Sequence, residues 1–419
     1  MSENKASRVY LAMSFFTALA NSIMFTTYAI YQVLALGLSP FELLMIGMVL
    51  ELTVLLFEGI TGVMADMHGR RKSVVIGMFV LGAGFTLEGC AIWLGEMQLW
   101  MSAFFWLLIG QLFYGIGATF VSGADAAWIA DEVGEPKAGP LFLRAGRYGL
   151  AGSLIGIPLS VLLSQADANV PYLAGGALYV LIGAFLLVRM RETGFVKPDR
   201  PIGRNTYWVG VKETWLSGAR IVRGRPILFA MLLVATLSGA ASEGYDRLWQ
   251  AHLMLDIGLP ENWPTAVWIG LLAMLSTLLA VPLLRFAENR LDTGNDQAMA
   301  RALMGLTLVR IGAIALLAMS PGFAWAMAAI LVHDAVRTLA GPISAAWMNR
   351  HIDSSSRATV LSMMGQSDAL GQTAGGPFVG WIGSRYALRA SLLVSAALLT
   401  PVIALYRSSV RTWRREEKE

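Results

Sequence analysis

Gly62-Val63-Met64-Ala65-Asp66-Met67-His68-Gly69-Arg70-Arg71-Lys72 joins two apolar stretches, Phe41 to Met64 and Ser73 to Gly95. Each is as long as the roughly 20 apolar residues needed to cross hydrocarbon. Three consecutive cations enter hydrocarbon only at high cost, so the run belongs in a tight turn on one side of a membrane. A plain basic loop accounts for Arg70, Arg71 and Lys72. It does not account for two glycines and Asp66 spaced around them.

The rest of the chain agrees with a membrane. Its 419 residues are 56% hydrophobic and 14% charged, with mean hydropathy +0.59, whereas soluble domains carry about 25% charge. The basic pI of about 9.2 does not imply nucleic acid, because the cations sit in loops rather than on one face. The single cysteine, Cys90, rules out an internal disulfide. The first apolar run carries no small-residue cleavage pattern and reads as an uncleaved helix.

Apolar runs fall at about 9–36, 41–64, 74–95, 99–129, 146–165, 171–189, 226–253, 263–286, 302–320, 323–348, 358–382 and 387–407. Twelve spans put both termini on one side. Of 32 Lys and Arg residues, 27 lie at the termini, in the even-to-odd loops or in the central segment, and that bias places these parts in the cytoplasm. The expected organisation is a six-helix half over 1–189, a linker over 190–225 and a second half with a tail over 226–419. Within the linker, Trp208, Val211, Trp215, Ala219 and Val222 recur at helical spacing, the pattern of an amphipathic helix on the membrane surface. A shift of 219 residues superposes Ala126-Ala127-Trp128 on Ala345-Ala346-Trp347, and Gly152, Gly156 and Pro158 on Gly371, Gly375 and Pro377. The fourth and fifth spans therefore correspond to the tenth and eleventh.

The run Gly62–Lys72 resembles the loop 2–3 signature of the major facilitator superfamily, G-x-x-x-D-[RK]-x-G-R-R-K, with Met67 in place of a cation. Span count, central segment and repeat extend the resemblance, which points toward bacterial twelve-helix drug:proton antiporters. It implies an all-α membrane fold of two pseudo-symmetric six-helix bundles and alternating access about a midplane cavity. Two antiporter motifs are incomplete. Gln111 stands where the fourth helix usually carries an arginine, and the fifth helix keeps Gly149, Gly152, Gly156 and Pro158 but not the usual ending.

No catalytic constellation, Walker loop or metal-ligand spacing occurs, so the chain reads as a transporter rather than an enzyme, with no cofactor or metal. The informative residues are ionisable groups inside spans, each costly unless paired or hydrated. Gly62, Asp66, Gly69, Arg70 and Arg71, with Asp131 at the end of the fourth span, read as a cytoplasmic latch. In it Gly62 allows close packing and Asp66 makes charge contacts. Glu51, Asp334 and Asp368 are the candidate proton carriers near mid-membrane. Asp334 either shares a proton with His333 or is neutralised by Arg337, and Arg310 is a further possible partner. Glu243, Asp246, Arg247 and Gln250 share one face of the seventh span, and Asn21, Tyr28 and Gln32 one face of the first. With Gln111 they form the candidate substrate cavity, although Glu243 and Arg247 would equally make a gating salt bridge.

The expected function is proton-coupled efflux of small amphipathic or hydrophobic compounds by a monomer in a bacterial inner membrane. Its partners would be the substrate, protons and the lipid bilayer. The alternatives are proton-coupled uptake of a metabolite or lipid translocation and, from another class, a non-transporting sensor.

Overall fold

Within hydrocarbon a single segment satisfies its own backbone N–H and C=O groups only as a helix. The computed structural model, which describes residues 2–97, 101–195, 226–290, 295–352 and 357–416, is helical throughout its described spans and has no strand there. In chain order the helices are α1 (Ser2–Thr26), α2 (Pro40–His68), α3 (Arg70–Glu96), α4 (Ala103–Val121), α5 (Ala124–Val133), α6 (Glu135–Ala166) and α7 (Val170–Arg189). They continue with α8 (Pro226–His252), α9 (Thr265–Arg290), α10 (Asp296–Ala318), α11 (Phe323–His351), α12 (Arg357–Arg385), α13 (Leu388–Leu398) and α14 (Thr400–Glu416). The first and seventh spans end in short π-helical segments, Ile30–Ala35 and Leu253–Ile257.

Among the described residues, 11 helical segments are long and apolar enough to cross a membrane. The expected span outside that set is α12, which is 29 residues long but diluted by Ser, Gln, Thr, Asp and Gly. Two expected spans are interrupted. The fourth breaks at Ser122–Gly123, where Gly123 takes φ +72°, a left-handed conformation that favours glycine. The twelfth breaks at Leu399 between α13 and α14. Helices also run further into the loops than hydropathy suggests: α6 begins at Glu135, well before the apolar run at 146. The amphipathic helix expected in the linker lies outside the described residues.

The chain forms two compact units. One comprises Met1–Leu38, Val49–Tyr207 and Pro264–Ala273; the other comprises Ser39–Met48, Trp208–Trp263 and Met274–Glu419. In the first unit α1 packs along α6, and α3 along α4 and α7. In the second, α8 packs along α12, and α10 along α11, α13 and α14. By span number this is one scheme used twice.

Glycines at equivalent positions make the close crossings. A Cβ on Gly152 or Gly156 of α6 would meet the Phe15 or Leu19 backbone oxygen of α1. A Cβ on Gly371 or Gly375 of α12 would meet Thr236 or Ala240 of α8. Without a hydrophobic drive between helices in lipid, such small-residue contacts let dispersion hold the pair.

Gly371→Ala, whose methyl group would overlap the Thr236 carbonyl oxygen, should cost about 1–3 kcal/mol of stability. Gly312→Ala, in open space on α10, should be neutral or gain up to about 1 kcal/mol. Thermal unfolding in detergent distinguishes them, and equal effects would show that the α8–α12 crossing does not need its glycine.

Candidate functional site

At the α2–α3 junction a single residue, Gly69 (φ +102°), reverses the chain. Arg70, Arg71 and Lys72 therefore lie in the first turn of α3. That end of a helix carries exposed N–H groups and a partial positive charge, so three cations there are poorly placed. Glu192, just after α7, compensates: its Oε1 accepts the backbone N–H of Arg70 at 2.6 Å and of Arg71 at 3.3 Å. The side chains are aimed elsewhere. Arg70 forms an ion pair with Asp131 of α5 and donates to the Ala127 carbonyl at 2.7 Å. Arg71 donates to the Leu187 carbonyl at 2.7 Å.

The neighbouring Glu132 accepts hydrogen bonds from Thr193 Oγ1 at 2.6 Å and from the Gly194 N–H at 2.8 Å, while Trp128 Nε1 donates to the Arg191 carbonyl at 2.8 Å. The junction, α5 and residues 191–194 are thus one hydrogen-bonded assembly.

Two residues of this motif make no contact of the expected kind among the described residues. Gly62 is exposed, with open space where a Cβ would stand. Asp66 is exposed and makes no ion pair among the described residues. The carboxylate that engages the basic triplet from outside α5 is Glu192. Its only sequence signal was an acidic residue within a strongly basic segment.

The second unit contains the same pairing with its signs exchanged. Asp296, at the start of α10, meets Arg350 near the end of α11 at 3.2 Å. Arg350 is the residue that the 219-residue shift places on Asp131. Here the acid stands at the helix N-terminus, where the dipole favours it, and Asn295 caps that helix through the Ala298 N–H at 3.0 Å.

Between α8, α9, α10 and α11 the second unit holds a polar cluster. Glu243 is buried and accepts from Arg247 Nε at 3.0 Å, one turn along α8. The fit is tight enough that a Cβ on Gly47 of α2 would overlap the Glu243 carboxylate. Asp246 pairs with Arg337 Nη1 at 2.5 Å. Neutralisation of Asp334 by Arg337, three residues on, was one of two alternatives for that carboxylate. Arg337 reaches α8 instead, leaving Asp334 to accept from Ser276 Oγ of α9 at 2.6 Å.

His333 is fully buried, with its ring stacked on Tyr245 at 3.6 Å between centroids. Arg310 Nε donates to His333 Nε2 at 3.3 Å. A guanidinium cannot accept, so Nε2 must be unprotonated. The imidazole is then neutral and carries its proton on Nδ1, 3.4 Å from Asp334 Oδ1. Asp368, on α12, is half-buried and accepts from the Gln372 amide at 2.8 Å.

Two of the other candidates are buried and hydrogen-bonded within the first unit. Gln32 is 1% exposed and donates to Tyr172 Oη at 3.2 Å. Gln111 is 2% exposed and donates to the fully buried Glu88 at 2.9 Å. Neither the residue at the antiporter-arginine position nor Gln32 faces an opening. A buried amide satisfies a partner more readily than it waits for a ligand. Asn21 accepts from Tyr179 Oη at 2.7 Å, Gln250 is 3% exposed, and Tyr28 and Glu51 are half-buried.

These features define a multi-pass helical membrane protein with two units of matching internal packing and ion pairs inside each. The chain belongs to the Major Facilitator Superfamily, whose model matches residues 10–367. Its family and fold are those of membrane transporters, which bind small-molecule substrates and are not enzymes. It is 22% identical over 402 residues to an uncharacterized MFS-type transporter, YxaM, of Bacillus subtilis, covering 94% of this chain and 92% of that one. It is 26% identical over 281 residues to the multidrug resistance protein MdtH of Citrobacter koseri, covering 65% of this chain and 62% of that protein. Among solved structures, the nucleoside transporter NupG matches with TM-score 0.72 at 12% identity, over 96% of this chain and 98% of that one. The peptide transporter POT in complex with sulfate matches with TM-score 0.73 at 12% identity, over 98% and 94%.

Glu192→Ala should lower stability by about 1 kcal/mol through loss of the α3 cap, whereas Asp66→Asn should stay within about 0.5 kcal/mol of the parent; melting curves of both check this. For the buried pair on α8, Glu243→Leu alone should cost about 3 kcal/mol because it strands Arg247, and adding Arg247→Met should restore most of the loss. A double-mutant cycle that is simply additive would contradict the pairing.

Proposed function

We propose that this transporter exports small amphipathic or hydrophobic compounds in exchange for protons, by alternating access between two repeated six-helix halves. It would work as a monomer in a bacterial inner membrane with both termini in the cytoplasm. The observation carrying proton coupling is the kind of partner that each of four carboxylates in the second unit's spans has. Glu243 and Asp246 are bonded to arginines, so protonating either would strand a cation. Asp334 and Asp368 are bonded to a hydroxyl, a neutral imidazole and an amide. Such carboxylates take up a proton without breaking an ion pair, as a carrier in a dry setting must. Glu51 on α2 is a further candidate.

The substrate class rests on the similarity to MdtH and on the acidic groups of the second unit, which favour protons and cations over anions. The latch reading of the Gly69 junction fits the Arg70–Asp131 pair as a contact that holds one conformation and is released in another.

The test is transport into everted vesicles. A fluorescent cationic dye should accumulate only with an inside-acid gradient. Asp334→Asn or Asp368→Asn should abolish that accumulation while downhill exchange persists. Gradient-driven accumulation surviving in both variants would remove them from coupling. Dye movement indifferent to the gradient, with uptake of a metabolite into intact cells, would replace export by import.

A further inference from the structure

The first unit has a cleft of about 910 Å³ between the N-terminal end of α1 and the C-terminal end of α7. It borders the hydrogen-bonded assembly at Glu132, Arg191 and Thr193, but none of its cationic side chains takes part in that assembly's ion pair. Lys5 and Arg8 line it from α1, with Arg189 and Arg191 from the end of α7 and just beyond. All four cations are exposed, and none makes an ion pair among the described residues. Among the described residues one carboxylate borders the cleft, Glu132, and its oxygens are already engaged by Thr193 and Gly194.

The lining is graded. The two helices run in opposite directions along the cleft, so Arg8 gives way to Ala12 along α1 just as Arg189 gives way to Phe185 along α7. Phe185 and Val188 are 38% and 75% exposed. One end of the cleft is therefore cationic and the other apolar, and the change occurs where the apolar spans begin.

We propose that this cleft binds an anionic phospholipid, with the phosphate among Lys5, Arg8, Arg189 and Arg191 and an acyl chain along Phe185 and Val188. The grading decides the class of ligand. An inorganic phosphate would use the cations but leave the apolar wall idle, and a zwitterionic lipid would bring its own cation against four others. Basic pockets between spans, at headgroup depth, are how membrane proteins select acidic headgroups. The long Lys and Arg side chains reach that depth while their stems lie on apolar surface. Glu132 and Thr193 border the same cleft, so the bound lipid would abut the segment that Glu132 and Trp128 hold in place.

The full-length protein, delipidated in neutral detergent, is titrated with short-chain phosphatidylglycerol, short-chain phosphatidylcholine or inorganic phosphate and followed by thermal unfolding. Phosphatidylglycerol alone should raise the melting temperature. The Arg8→Gln/Arg189→Gln variant should bind it about thirtyfold more weakly. Arg144→Gln, an exposed cation on α6 outside the cleft, should bind it as the parent does. Equal stabilisation by phosphatidylcholine would overturn the charge recognition, and equal stabilisation by inorganic phosphate would overturn the lipid reading. If Arg144→Gln weakens binding as much as the double variant does, a diffuse surface effect replaces the site. Should the double variant fail to fold, native mass spectrometry of the parent with equimolar phosphatidylglycerol and phosphatidylcholine decides. Preferential retention of one phosphatidylglycerol supports the site, and equal retention overturns it.

Discussion

A charge in hydrocarbon must find its counter-charge or its hydrogen bonds within the protein, because no water supplies them. In this chain that requirement operates inside each unit. Arg247 finds Glu243, Arg337 finds Asp246, and Gln111 donates to one oxygen of Glu88. Helix packing follows from the same constraint. Long segments must be helical, and helices surrounded by lipid gain little from apolar contact, so glycine faces that allow close approach hold α6 on α1 and α12 on α8.

The constraint also separates two kinds of buried polar group. Those bonded to arginines are fixed, because any change in their charge leaves a partner stranded. Those bonded to neutral groups retain freedom to change charge. His333 stands at the boundary between the two. Its contact with Arg310 fixes its tautomer, and that tautomer presents a proton toward Asp334.

Much of the fold was legible in the sequence because the bilayer demands a long-wavelength pattern. Apolar runs, basic loops and a repeat at 219 residues are properties of tens of residues, and they anticipated the spans, the family and the equivalent glycines. Helix ends were read poorly. Hydropathy does not register that α6 continues past its apolar part to Glu135, or that Gly123 interrupts a run that is apolar on both sides. The site was legible only as an inventory. Sequence spacing made Asp334 and Arg337 neighbours, yet one turn of separation competes with whatever the facing helix offers, and α8 offered Asp246. Gln32 was singled out by periodicity and Gln111 by resemblance, and neither signal says which side chain the residue meets. Glu192 was missed for the same reason: its role arises only when α7 ends beside the start of α3.

Gly69 has a mechanical consequence. It is the entire connection between a helix of 29 residues and one of 27, and one residue adds only about 3.8 Å of chain. A joint so short has almost no slack. The end of α2 cannot slide along its axis without pulling on α3, and only two backbone torsions are free to absorb a change of angle. Displacement of either rod at this end is therefore delivered to the other as rotation about a point. The Arg70 and Arg71 contacts, within the first turn beyond that pivot, are placed where a small swing produces the least travel and the greatest leverage.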